Sequence, residues 1–193
     1  EADGKVAKAQ DFDGSNDYVD CSSNGIPIGN NSFTQEAWIK PDTMGTDINH
    51  PNIVSWGNNT TGQKNGMSLM TQSGVPKLLH WFYADDNYWT VSNLVGSWHH
   101  VVITYNGTNL TAYLDGDSLG TQKPPSTPNV ASTNVLIGFY HSKTYAFNGL
   151  IDEVRISNTS RSADWIKATY YSLNDSLLTY GAEETNANFF PFF

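Results

Sequence analysis

Apolar residues in this chain come in short runs rich in β-branched and aromatic side chains, divided by Gly, Pro, Asn and Asp. Alternation over a few residues between such punctuation predicts strands, and many short strands in succession predict a sandwich. Phe12–Val19 reads as strand, polar turn, strand. Ser32–Lys40 (SFTQEAWIK) is a strand stopped at Pro41-Asp42, where proline removes a ladder donor. Ile53–Trp56 and Gly66–Met70 follow, on either side of a polar loop from Gly57 to Asn65. Lys77–Tyr83 and Tyr88–Val91 pair across Ala84-Asp85-Asp86-Asn87. The plainest hairpin joins Trp98–Tyr105 to Leu110–Leu114 through Asn106-Gly107, a dipeptide that tolerates the positive φ of tight turns.

Asp115-Gly116-Asp117 makes the next turn, and Pro124–Pro128 is an exposed connection because prolines cannot sit in a central strand. Val135–Phe139 and Gly149–Ile156 complete the strand set. In the last of these, strict alternation places Asp152 on the same face as Leu150, Val154 and Ile156. A carboxylate on an apolar face needs a partner, since an unpaired buried charge is costly. Ser162 caps one short helix over residues 163–168, with Trp165 and Ile166 docking on the sandwich. The fold class expected is therefore all-β, an antiparallel two-sheet β-sandwich with one short C-terminal helix. One domain is expected over residues 1–182, followed by an aromatic tail over 183–193 that serves as strand or linker.

Composition narrows the function classes. The 193 residues carry a net charge of −9 and no Lys/Arg cluster, which argues against nucleic acid and leaves divalent cations as plausible partners. Cys21 is the only cysteine, so an intramolecular disulfide and a cysteine-rich zinc site are both excluded. No apolar run reaches membrane-spanning length. Seven Asn-x-Ser/Thr sequons point to an exported protein at the cell surface or outside the cell.

The strings FDGSNDYV, SFTQEAWIKP, SWHHVVITYNGTNLTAYLDG and FNGLIDEVRISNTSRSADWI occur in the order found in laminin-G-like domains of the concanavalin-A-like superfamily. The chain resembles these domains from about Phe12 to Trp165, and most of all their prokaryotic exported versions. The resemblance implies a jelly roll of two six- or seven-stranded sheets. It also implies a structural calcium ion, whose matching positions here are Asp13, Gly14, Asp17 and Asp152. The competing reading is that Asp152 pairs with Arg155 or accepts backbone N–H groups. Lectins, carbohydrate-binding modules, adhesive domains and glycoside hydrolases all share the fold, so the fold does not choose among them.

Glycoside hydrolysis needs two carboxylates across the scissile bond. Glu36 stands alone on its strand, and Asp152 and Glu153 are adjacent and point to opposite faces, so no catalytic residue is assigned. His99 and His100 likewise diverge, and His50, His80 and His141 are scattered. The positive signal is aromatic. Trp38, Trp98 and Trp165 belong to fold motifs and are assigned to the core. Trp56, Trp81, Tyr83, Asp85, Asp86, Tyr88, Trp89, Tyr140 and Tyr145 are the candidate carbohydrate-binding set, with His141 in the same loop as Tyr140. Aromatic faces suit the C–H face of a sugar and flanking polar groups suit its hydroxyls. Two readings stand: a non-catalytic lectin-like module that binds a glycan or polysaccharide, or a structural and adhesive domain that binds a neighbouring cell-surface protein. The tail Phe189–Phe193 would serve the second by strand addition.

Overall fold

Thirteen strands and one helix form from these segments in a computed structural model that describes residues 2–140 and 145–177. The strands are β1 Ala2–Asp3, β2 Lys8–Asp13, β3 Val19–Cys21, β4 Phe33–Pro41, β5 Asn52–Gly57, β6 Lys64–Gln72 and β7 Val75–Trp81. They continue with β8 Asp86–Thr90, β9 His99–Tyr105, β10 Leu110–Leu114, β11 Asp117–Gln122, β12 Val135–Ile137 and β13 Asn148–Ser157. All pairings are antiparallel. One seven-stranded sheet runs β1-β2-β13-β4-β9-β10-β11, and a six-stranded sheet runs β3-β12-β5-β6-β7-β8. The chain passes repeatedly from one sheet to the other, as expected of a jelly roll. The tail over 183–193 and His141 lie outside the described residues.

The core lies between the sheets. Phe33, Ala37, Ile39, Val101 and Ile103 of the larger sheet meet Val54, Trp56, Met67, Leu69 and Leu78 of the smaller one. Each large side chain buried this way contributes roughly 1.5–3 kcal/mol. A polar chain crosses the same space: Gln35 accepts from Asn65 at 2.8 Å, and Asn65 Oδ1 lies 2.8 Å from His80 Nε2. Burial holds the His80 imidazole down at about 3, so at neutral pH it is uncharged, and the Asn65 acceptor fixes the proton on Nε2.

Helix α1, Ala163–Leu173, starts as expected, with the Ser162 hydroxyl accepting from Trp165 N–H at 3.2 Å and Asp164 in the first turn. It runs past residue 168 because its second half also has a partner: Tyr170 stacks on Trp38 at 5.6 Å. Ile166 packs on Val102 and Tyr113, so the helix covers the outer face of the larger sheet. Beneath this cover Glu36 is buried, with His100 Nε2 at 3.2 Å and Arg155 at 3.6 Å. Of the three tryptophans assigned to the core only Trp38 is fully buried there, under the helix. Trp98 precedes β9 half-buried, and Trp165 is half-buried on α1.

Strict alternation fails in β13. A bulge falls between Asp152 and Arg155, where Glu153 takes φ 50°. The extra residue lets Ile151, Val154 and Ile156 all face the core, while Asp152 turns outward opposite Trp38. Asp152 therefore does not share a face with Val154 and Ile156. Its carboxylate accepts from Val6 N–H at 2.9 Å and from Glu153 N–H at 2.8 Å, which ties down the N-terminal segment.

Candidate functional site

Among the described residues no helix lies over the outer face of the smaller sheet. Register places Gly66 of β6 opposite Trp81 of β7, and Trp81 opposite Asp86 of β8. Ser68, Leu79 and Tyr88 form the next row on the same face. Gly66 decides how Trp81 lies. A Cβ there would stand 2.5 Å from the indole, so only glycine lets the ring rest flat against the strand. The indole N–H then donates to Ser68 Oγ at 3.2 Å. Ser68 donates in turn to Asn52, whose amide holds the carbonyl of Phe139 at 2.8 Å. This relay fixes the chain where Tyr140 begins to cross the face.

Tyr140 packs on Trp81 with ring centres 4.7 Å apart, and its hydroxyl donates to Asn59 at 2.8 Å. Tyr145 lies 5.4 Å from Tyr140 and stacks on His50 at 5.3 Å. At the end of β7 the chain reverses through Tyr83 and Ala84, both at φ near 60°, with Phe82 N–H donating to the Asp85 carbonyl. Two successive left-handed residues define the hairpin turn that normally selects Asn-Gly, and here the first of them carries a tyrosine to the rim. The result is a cleft of about 180 Å³ walled by Trp81, Tyr83, Tyr140 and Tyr145, with His50 and Asp86 as its polar margin.

Electrostatics at the cleft are unusual in one respect. Lys64 begins β6 on the same face, two residues before Gly66, and is completely buried. Its ammonium lies 4.4 Å from the Tyr140 ring centre and 6.0 Å from that of Trp81. It has no hydrogen-bond partner among the described residues. Burial pulls the amine down to about 8. The Tyr140 phenol is pushed up to about 12, first by burial and then by Tyr83 and Tyr145. Tyr88 is pushed equally far by burial and by Asp86, to which its hydroxyl donates at 2.9 Å.

Of the residues singled out from sequence, Trp81, Tyr83, Asp86, Tyr140 and Tyr145 meet in this cleft, with Tyr88 beside it. Asp85 does not join them; it is buried and accepts from the Ser126 hydroxyl. Trp56 and Trp89 point between the sheets, where their N–H groups donate to the carbonyls of Pro27 and Gly120, so neither ring is open to a ligand. His50, Leu79, Gly66 and Lys64 were missed. Lys64 fell in a segment read as loop, and a lone lysine there carries no signal of burial.

The four positions matched to calcium are not gathered into one site. Asp13 lies opposite Asn148, and Asp152 stands four residues further along β13, about 13 Å away at the usual strand rise. Asp13 accepts from Ser15 N–H, Asp17 accepts from Asp13 N–H, and both are solvent-exposed. Among the described residues no three His, Cys, Asp or Glu side chains are clustered to hold a metal. The donor set does not fit a single calcium ion.

Comparison with known proteins places this geometry in context. Residues 13–167 match the sequence family described as the concanavalin A-like lectin/glucanases superfamily. No curated protein matches the chain. Among solved structures, the SAP-like pentraxin of Limulus polyphemus, a heptamer, superposes with a TM-score of 0.67 at 18% identity, over 83% of this chain and 80% of that one. Domain 4 of AbnA, an extracellular GH43 arabinanase of Geobacillus stearothermophilus solved with arabinotriose, gives 0.64 at 20% identity, over 86% and 78%. The binding domain of Paraclostridial Mosquitocidal Protein 1 gives 0.58 at 15% identity, over 89% and 45%. At these identities the likeness is one of fold.

Proposed function

The chain belongs to the concanavalin A-like lectin/glucanase superfamily, and on that premise we propose that it is a non-catalytic carbohydrate-binding module of an extracellular or cell-surface protein. The observation that carries this reading is the cleft floored by the largely buried Trp81 and Tyr140, where half-buried Tyr83 and Tyr145 present aromatic surface beside the polar groups of Asp86 and His50. A sugar ring stacks its C–H face on an aromatic ring and hydrogen-bonds at its edge, and this margin supplies an acceptor and a ring nitrogen for that edge. The volume of about 180 Å³ suits one sugar residue of a chain. An arabinanase domain of the same fold, solved with a trisaccharide, supports the reading by analogy.

The carboxylates support the absence of catalysis. Asp86 is the one acidic side chain lining the cleft among the described residues, whereas retaining or inverting hydrolysis needs a facing pair. Glu36 is on the other sheet, sealed beneath α1.

Titration of the folded domain against a glycan panel tests the proposal. A neutral or acidic oligosaccharide should bind at micromolar to millimolar Kd, about 4–8 kcal/mol. Trp81→Ala and Tyr140→Ala should each weaken binding at least tenfold while the far-ultraviolet spectrum is kept. A panel without a binder, or variants that bind like the parent, would remove the proposal.

A further inference from the structure

We propose that the sugar residue seated in the cleft carries a carboxylate, as a uronic acid does, and that Lys64 selects for it. This inference rests on the carbohydrate-binding reading above and adds the ligand's charge. Lys64 is a buried cation with no hydrogen-bond acceptor among the described residues, and no carboxylate of those residues pairs with it. Lysine is almost never fully buried unless paired. The two rings over its ammonium recover part of the lost hydration through their π-faces, but they do not neutralise its charge. Those same rings wall the cleft, so the nearest route by which an outside anion can compensate Lys64 is through the ligand site itself.

The sign of the ligand follows from comparing the charges at the cleft. Four aromatic side chains and one carboxylate would otherwise make a cage for an organic cation. Lys64 opposes that, because its charge already occupies the Tyr140 and Trp81 faces from within. Asp86 opposes an anion, but it is partly exposed, is hydrogen-bonded to Tyr88 and is screened by water. Lys64 is shielded from solvent, where the lower effective dielectric makes each charge count for several times more. The remaining groups on the cleft, His50, Tyr83, Tyr140 and Tyr145, bring no second carboxylate. With the ammonium 4.4 Å from the Tyr140 centre, a sugar touching the exposed edge of that ring at about 4 Å brings its carboxylate within roughly 10 Å of Lys64. At that range, with an effective dielectric of about 20 and Asp86 opposing, the attraction favours acid over neutral ligand by about tenfold.

The test compares glucuronate, galacturonate and mannuronate trisaccharides with their methyl esters, which keep the ring and remove the charge. Affinities are measured at pH 7 for the parent domain, Lys64→Met and Trp81→Ala. The expected result is that one acid binds the parent about tenfold more tightly than its ester. Lys64→Met should abolish this preference while its ester affinity stays within twofold, and Trp81→Ala should weaken both ligands. Equal binding of acid and ester by the parent overturns the inference whether or not Lys64→Met folds. So does a preference that survives Lys64→Met, or a neutral glycan bound where every uronate fails. In those three outcomes the carbohydrate-binding reading stands. If no glycan of either kind binds the folded parent, both fall together.

Discussion

Replacing Lys64 by methionine should make the protein more stable, and the structure gives the size and the pH range of the gain. Lys64 is fully buried without a hydrogen-bond partner among the described residues, and its amine is lowered from 10.5 to about 8. That difference means the folded state disfavours the charged amine by about 3 kcal/mol, at 1.36 kcal/mol per pH unit. Methionine occupies a similar volume, has no charge to desolvate and keeps contact with both rings. Below pH 8 both folded and unfolded Lys64 hold the proton, and the folded protein bears the whole penalty. Between pH 8 and 10.5 the folded state gives up its proton first, so parent stability rises with pH through this window. Above 10.5 neither state is charged and the contribution is flat. Urea denaturation of parent and Lys64→Met from pH 7 to 10.5, with slopes compared to confirm two-state unfolding, measures this directly. The variant should be more stable by about 1–3 kcal/mol at pH 7, with the gap closing toward pH 10.5. A variant less stable than the parent at pH 7, or a gap that does not change with pH, would refute the reasoning.

Further outcomes follow from other contacts. Gly66→Ala should lift the Trp81 ring off its strand, lowering stability by about 1–3 kcal/mol and glycan affinity at least tenfold; unchanged tryptophan fluorescence and affinity would count against the close approach. Because burial takes His80 from 6.5 to about 3, stability should fall as pH drops from about 6.5 toward 3, with a slope approaching 1.4 kcal/mol per unit. The His80 resonances should stay those of a neutral Nε2–H ring down to pH 4, and a midpoint near 6.5 would contradict the buried assignment. Asp152→Ala should cost about 1–3 kcal/mol and expose the amide of Val6 to hydrogen exchange; protection equal to the parent would dismiss the tether. Millimolar calcium should move the parent's Tm by no more than a degree or two over EDTA, and a rise of 5 °C or more would require a ligand set other than Asp13, Gly14, Asp17 and Asp152.

The strand set was legible because each element announces itself locally. Alternation runs between strong turn residues, Asn106-Gly107 closes the hairpin, and Ser162 caps the helix. The facing of individual side chains was legible only where alternation is unbroken. Tyr88 and Trp89 are neighbours on one strand, so at most one of them can reach the cleft, and the structure chooses Tyr88. At Glu153 the bulge forms without a glycine to mark it, so the outward turn of Asp152 had no signal in the sequence. The left-handed pair Tyr83-Ala84 is equally silent, since neither residue type favours that conformation. The cleft as a whole depends on pairings between distant segments. Tyr140 meets Trp81, and Tyr145 meets His50, only after β5, β6 and β7 are in register. Lys64 gains its meaning only from burial, which follows from where Tyr140 crosses the sheet.

The position of β13 between β2 and β4 has a consequence for how this chain folds. Ile151 pairs with Gln10 on one side and with Ile39 on the other, so the two early strands have no ladder between them until residues 148–157 exist. During synthesis the β2 and β4 edges stay open, and the larger sheet closes only in a late step that joins segments far apart in the chain. Loop closure of that length comes before any contact rewards it, and folds dominated by such pairings reach the native state in milliseconds to seconds rather than microseconds. Until β13 arrives, those unpaired edges are also the places where one nascent copy can join another.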